Sequence, residues 1–148
     1  RDTDRSRGLG DVYKRQTPDN VRFVFLEKES LPPFYLPQWS NALCEERKGL
    51  DAFAVAALCG GLTAGLAGAS CDCSDMLQIG VDVLPAFRGR GLGAALTSRL
   101  AACIRAAGKT AFYCCEAGNL PSIKTALRSG FRPTATRLSA QKQKPDAF

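Results

Sequence analysis

The stretch VDVLPAFRGRGLGAAL, Val81 to Leu96, passes from strand-forming residues through a proline and a glycine-rich loop into a helical pattern. Val81, Val83 and Leu84 favour a strand, and Pro85 stops it. Arg88, Gly89, Arg90, Gly91 and Gly93 follow, and the helical run opens near Gly91. Two arginines and several backbone N–H groups without side-chain cover therefore stand where a helix begins. The unpaired amides of a first helical turn and the helix dipole both favour an anion there, phosphate above all.

The flanking segments decide what kind of fold carries this loop. Upstream, Val21 to Leu26 reads as a strand, with Val21, Phe23 and Phe25 on one face. Leu31 to Pro37 holds three prolines and reads as an ordered loop. Ser40 is placed to N-cap a short helix running to about Leu50. Phe53, Val55 and Ala57 alternate, Gly60-Gly61 turns the chain, and Leu62 to Ser70 returns, which predicts a hairpin. A second turn through Cys71–Asp75 leads into a third strand of this meander, Met76 to Leu84.

Downstream the period changes. Leu92, Leu96, Leu100, Cys103 and Ala107 fall on one helical stripe, and Gly108 supplies the stop. Thr110 to Cys115 is nearly continuous apolar, as expected of a strand covered on both faces. Asn119 can cap a second helix that Gly130 ends, and Phe131 to Leu138 reads as a closing strand. The order predicts an α/β fold of the mixed-sheet (α+β) kind. An antiparallel meander is followed by strand–helix–strand–helix–strand around one central sheet.

Composition bounds the rest. The chain has 148 residues, enough for one domain with a real core, and the domain is expected over residues 17–140. Residues 1–16, RDTDRSRGLGDVYKRQ, show no periodicity and read as a non-native or disordered leader; 141–148 reads as a flexible tail. The net charge of +6 owes two units to that leader, which has five basic and three acidic residues, so no nucleic-acid footprint is expected. No apolar run suits a membrane span. The seven cysteines are an odd number, and five lie in segments that read as buried. Reduced thiols packing as small hydrophobes, in a cytoplasmic protein, is the expectation. Cys71, Cys73, Cys114 and Cys115 lack the paired spacing of a zinc site, and no metal is assigned. No histidine occurs, which removes imidazole catalysis.

The glycine loop admits rival readings. Gly89-Arg90-Gly91-Leu92-Gly93-Ala94 matches the G-x-G-x-x-A of a dinucleotide-binding turn, but four residues separate it from its strand. A nucleotide P-loop would need a Lys-Ser/Thr pair after the glycines, and none follows. Arg88 to Gly93 also fits R/Q-x-x-G-x-G/A after a strand ending V-x-P at Val83–Pro85. Together with Asn119 and the closing Ser129-Gly-Phe-Arg-Pro133, the sequence closely resembles the GNAT superfamily of N-acetyltransferases over residues 21–138. SNALCEERK, GLAGAS and QIGVDVLP are similar to a bacterial branch in which this domain is the C-terminal half of a longer protein, so a missing N-terminal domain is expected.

That resemblance implies an acyltransferase that moves acetyl from acetyl-CoA to an amine by direct attack in a ternary complex. It implies that the amides of Gly89, Arg90, Gly91, Leu92, Gly93 and Ala94 hold the pyrophosphate, with charge-assisted contacts from Arg88 and Arg90. Val81 and Val83 would pair their backbone with the cofactor's amide arm, the Val83 N–H taking the oxyanion, and Asn119 would add a contact. The tyrosine that many relatives carry four residues before Gly-Phe is here Ala126, and the preceding strand has no Glu. Asp82 is then the first choice of general base; Tyr113, Cys114 and Cys115 stand on the facing strand as proton donors. Phe34, Tyr35 and Trp39 would border the acceptor, a small-molecule or peptide amine, and the family leaves room for a homodimer. The missing acid and base keep a catalytically degenerate acyl-CoA-binding or sensing domain as the alternative, with a dinucleotide-binding protein as the second.

Overall fold

The structure, a computed structural model, describes residues 20–140. The leader and the tail expected from the sequence lie outside these residues. Five strands form one sheet in the order β1-β2-β3-β4-β5. They are β1 Val21–Glu27, β2 Asp51–Cys59, β3 Leu62–Ser70, β4 Met76–Val83 and β5 Thr110–Tyr113. The first four pair antiparallel, and β4 and β5 pair parallel. Helix α1, Leu92–Ala106, makes the crossover between those last two strands, and α2, Leu120–Arg128, follows β5. The expected mixed sheet is present. With one parallel pair at its end, this sheet is no doubly wound half-domain.

Alternation along the strands sorts the core into two layers. Val55, Ala57, Ala67, Ala69, Leu77 and Ile79 face α1 and pack on its buried stripe of Leu92, Leu96, Leu100 and Ile104. Ile104, not Cys103, completes that stripe; Cys103 is only half-buried. Ala54, Ala56 and Leu66 face the other way, against Leu31, Trp39, Ala42 and Leu43.

That second layer is not the helix that Ser40 and the charge pattern predict. A single 3-10 turn at Pro37–Trp39 ends at Ser40, and residues 40–50 hold only one more, at Glu45–Arg47. Contact with the sheet outweighs local propensity here. Gly68 and Gly80 let the chain lie backbone-on-backbone, and a Cβ on either would overlap the carbonyl of Ala42 or Asn41. The N–H groups of Asn41 and Ala42 are taken by the Asp82 carboxylate rather than by helical carbonyls.

Two further expectations are corrected. Residues 131–138 form no strand: Pro133 has no N–H to give a ladder, and Leu138 stands 94% exposed. The cysteines are not buried; all seven are free thiols, four half-buried and Cys73, Cys114 and Cys115 exposed.

Candidate active site

The site grows from the place where β4 and β5 part. Their ladder runs from Met76↔Thr110 to Ile79↔Tyr113 and ends there, while β4 continues to Val83. On its other side β4 stays paired with β3 up to Gly65↔Val83. The Leu84 N–H donates to Ala64 O (2.9 Å), so Leu84, Asp82 and Gly80 turn their backbone groups toward β3. Val81 and Val83 therefore turn theirs into the wedge between the splayed strands. A cleft of about 1180 Å³ opens from this wedge toward the start of α1.

The loop from Pro85 to Gly91 closes the upper end. Pro85–Phe87 forms a 3-10 turn, and Gly89 and Gly91 hold φ of 77° and 74°. Side chains strain that left-handed region, which explains the two glycines. The first α-helical bond is Ala95 N–H to Gly91 O (3.1 Å), leaving the Leu92, Gly93 and Ala94 amides free at the positive end of a 15-residue helix. Arg88 folds back, its Nε donating to the Val83 carbonyl at 3.0 Å, which pins the loop to the strand and leaves the rest of its guanidinium at the cleft. The Gly93 Cα approaches α2: a Cβ there would touch Thr125 at 3.6 Å. Ser129 Oγ ties the end of α2 to α1 through Ala94 O (3.2 Å).

Of the residues expected at the site, Val81, Asp82, Val83, Arg88, Gly89, Gly91, Leu92, Gly93, Ala94 and Asn119 all line this one cleft. Arg90 does not; it projects from the loop, exposed. Asn119 caps α2, its Oδ1 accepting from Ser122 N–H at 3.2 Å. Asp82 accepts three hydrogen bonds, from Asn41 N–H (2.9 Å), Asn41 Nδ2 (2.7 Å) and Ala42 N–H (2.8 Å). It clasps the 39–43 segment to the sheet. Trp39, expected beside an acceptor, is sealed in the core at 3% exposure. The Tyr35 hydroxyl is spent on buried Asp51 (2.9 Å).

The cleft also gathers residues that sequence reasoning did not single out, among them Phe87, Ser122, Lys124, Thr125 and Arg128. Only the i, i+3 and i+4 spacing of the last four along α2 hinted at a shared face. Tyr113, the last residue of β5, shares a 2.8 Å hydrogen bond with Ser122 Oγ and packs against Phe131. Burial pushes its hydroxyl pKa up, nearby Cys115 and Asp82 push the same way, and the Ser122 bond opposes them. Cys71 and Cys73 lie beyond the opposite end of β5 from Cys114 and Cys115. Among the described residues, no helix is long and apolar enough to cross a membrane.

Known proteins resemble this chain in sequence family and in fold. The sequence model of the FR47-like protein family matches residues 58–139. No curated protein matches the chain in sequence. Among solved structures, AAC(6')-Iy in complex with a CoA-linked bisubstrate analogue is 22% identical, with a TM-score of 0.64 over 85% of this chain and 100% of that one. The putative acetyltransferase yncA from Salmonella typhimurium, with acetyl-CoA, is 23% identical at a TM-score of 0.62, covering 79% and 82%. A GCN5-related N-acetyltransferase-like protein from Streptococcus suis is 22% identical at 0.63, and 81% of this chain corresponds to 50% of that one.

Proposed function

Because the chain belongs to the FR47-like family, a relative of the GNAT acetyltransferases, we propose that it transfers the acetyl group of acetyl-CoA to a small-molecule amine. The observation that carries this reading is the wedge itself. Backbone of Val81 and the N–H of Val83, both beyond the end of the β4–β5 ladder, run from the fork straight to the free amides of α1. An amide-rich arm with a pyrophosphate at one end needs that combination: a strand edge to pair with and a positive helix end.

Acetyl-CoA supplies an acetyl group activated as a thioester; the chain holds, polarises and moves protons. Leu92, Gly93 and Ala94 N–H groups, with Gly89, Gly91 and Arg88 around them, take the pyrophosphate. Arg90 contributes by charge alone. The Val83 N–H pairs with the arm nearest the loop. The Val81 N–H, two residues nearer the fork, holds the oxyanion, a position deeper than the Val83 contact the sequence suggests. Tyr113 takes the role left open at Ala126: its hydroxyl, held by Ser122, protonates the leaving thiolate. Asp82, whose oxygens already accept three N–H donors, positions the Asn41–Ala42 turn over the fork. Removal of the ammonium proton then falls to solvent. The small-amine class follows the aminoglycoside acetyltransferases among the structural neighbours.

The test is twofold. Acetyl-CoA raises the melting temperature of the protein, and Arg88→Glu or Gly91→Trp abolishes the rise. Free CoA thiol is then released in the presence of at least one amine from a panel that includes aminoglycosides. Binding without release on any amine would leave the non-catalytic acyl-CoA-sensing alternative, and no binding would overturn both.

A further inference from the structure

Cys114 and Cys115 are unused by the chemistry above, yet both are exposed and both line the cleft. They follow Tyr113 directly, where β5 leaves its ladder opposite Ile79, so they flank the fork across from Gly80 and Val81. The other five cysteines, Cys44, Cys59, Cys71, Cys73 and Cys103, do not line it. We propose that the Cys114–Cys115 pair is a thiol–disulfide exchange site for coenzyme A, at which CoA disulfide forms a mixed disulfide with the protein and closes the cleft to acetyl-CoA. This rests on the acetyl-CoA reading of the site.

A chain anchored by its pyrophosphate at Gly89–Ala94 and paired along Val83 and Val81 carries its sulfur toward the fork, where these two thiols stand. The exchange balances without any other oxidant. A cysteine thiolate attacks one sulfur of CoA disulfide, a protein–CoA S–S bond forms, and the CoA–CoA S–S bond breaks. The departing CoA leaves with the electron pair and takes a proton from solvent. The protein sulfur is oxidised and the departing CoA sulfur is reduced. The neighbouring cysteine resolves the adduct poorly. Consecutive Cα atoms stand about 3.8 Å apart, inside the roughly 4.4 Å lower bound usual for a disulfide. The adduct therefore persists until an external thiol removes it.

The experiment treats the full chain with CoA disulfide and reads intact mass without reductant. One CoA adds per chain, the tryptic peptide Thr110–Lys124 carries it, dithiothreitol removes it, and acetyl-CoA slows its formation at least tenfold. The Cys114→Ser/Cys115→Ser variant takes up none at that peptide, and glutathione disulfide labels the wild-type peptide at least tenfold more slowly than CoA disulfide. Labelling spread over the other cysteines, equal labelling by glutathione disulfide, or no adduct overturns the inference. If acetyl-CoA raises the melting temperature while no adduct forms, this inference fails and the acetyltransferase reading stands. If acetyl-CoA gives no rise, the acetyltransferase reading fails and takes this inference with it.

Discussion

Asp82 and Asn41, far apart in the chain, are joined twice: the Asn41 N–H donates to one carboxylate oxygen at 2.9 Å and its Nδ2 to the other at 2.7 Å. A third bond from the Ala42 N–H makes this carboxylate the clasp that fixes a non-helical segment to β4. Asp82→Ala leaves the Asn41 and Ala42 N–H groups without their acceptor. Hydrogen bonds to a charged group are worth about 1.5–3 kcal/mol each where buried, less where solvent reaches them. A net loss of about 2–3 kcal/mol is expected in a denaturant titration. A loss below about 0.5 kcal/mol would show that water replaces the clasp and that Asp82 is free for other work.

Gly80 tests the same contact from the other side. A Cβ there would overlap the Asn41 carbonyl oxygen, which is backbone and cannot swing away. Gly80→Ala is expected to push the 39–43 segment off the sheet and cost about 1–3 kcal/mol, the usual range for overpacking. Gly118→Ala, where a Cβ meets nothing, is the control. Equal stability of the two variants would refute the close approach.

Asp51 gives the protein a pH dependence of known sign. It is 2% exposed, and burial raises its pKa above the ordinary carboxylate value, although the Tyr35 hydroxyl, the Cys44 N–H, Arg47 and Lys28 all pull it back. A carboxyl whose pKa is higher folded than unfolded binds its proton more tightly in the native state. Its contribution to stability is therefore present at low pH and declines as pH rises from the ordinary carboxylate range through the raised value. Asp51→Asn keeps an acceptor for Tyr35 and removes the titration. Melting temperatures followed from pH 4 to 8 are expected to converge at the acid end and to favour the Asn variant increasingly toward neutrality. Parallel curves would contradict the assignment.

Tyr113→Phe separates packing from chemistry. The ring keeps its contact with Phe131, and only the bond to Ser122 is lost, so stability falls by about 0.5–1.5 kcal/mol. Turnover on an accepted amine drops by about 10²-fold or more, the usual scale for a proton-transfer group, in kcat rather than KM. Unchanged kcat would remove Tyr113 from the reaction.

The sequence by itself determined the strand–loop–helix unit at Val81–Leu96, the meander before it, and the strand and helix that follow it. Those signals are local: alternation in the strands, a 3.6-residue stripe in α1, and glycines whose positive φ the turn demands. Tertiary structure decided what local pattern cannot. The Ser40–Leu50 segment has the residues of a helix, yet its amides found Asp82 and its backbone found Gly68 and Gly80, partners that only the folded sheet brings near. Residues 131–138 alternate like a strand, but Pro133 interrupts the donors a ladder needs. The cleft itself depends on where two parallel strands stop pairing, at Ile79 and Tyr113. That end of the ladder turns the backbone of Val81 and Val83 from sheet into site. Pairing distance along a sheet is a property of two strands together, and neither strand carries it alone.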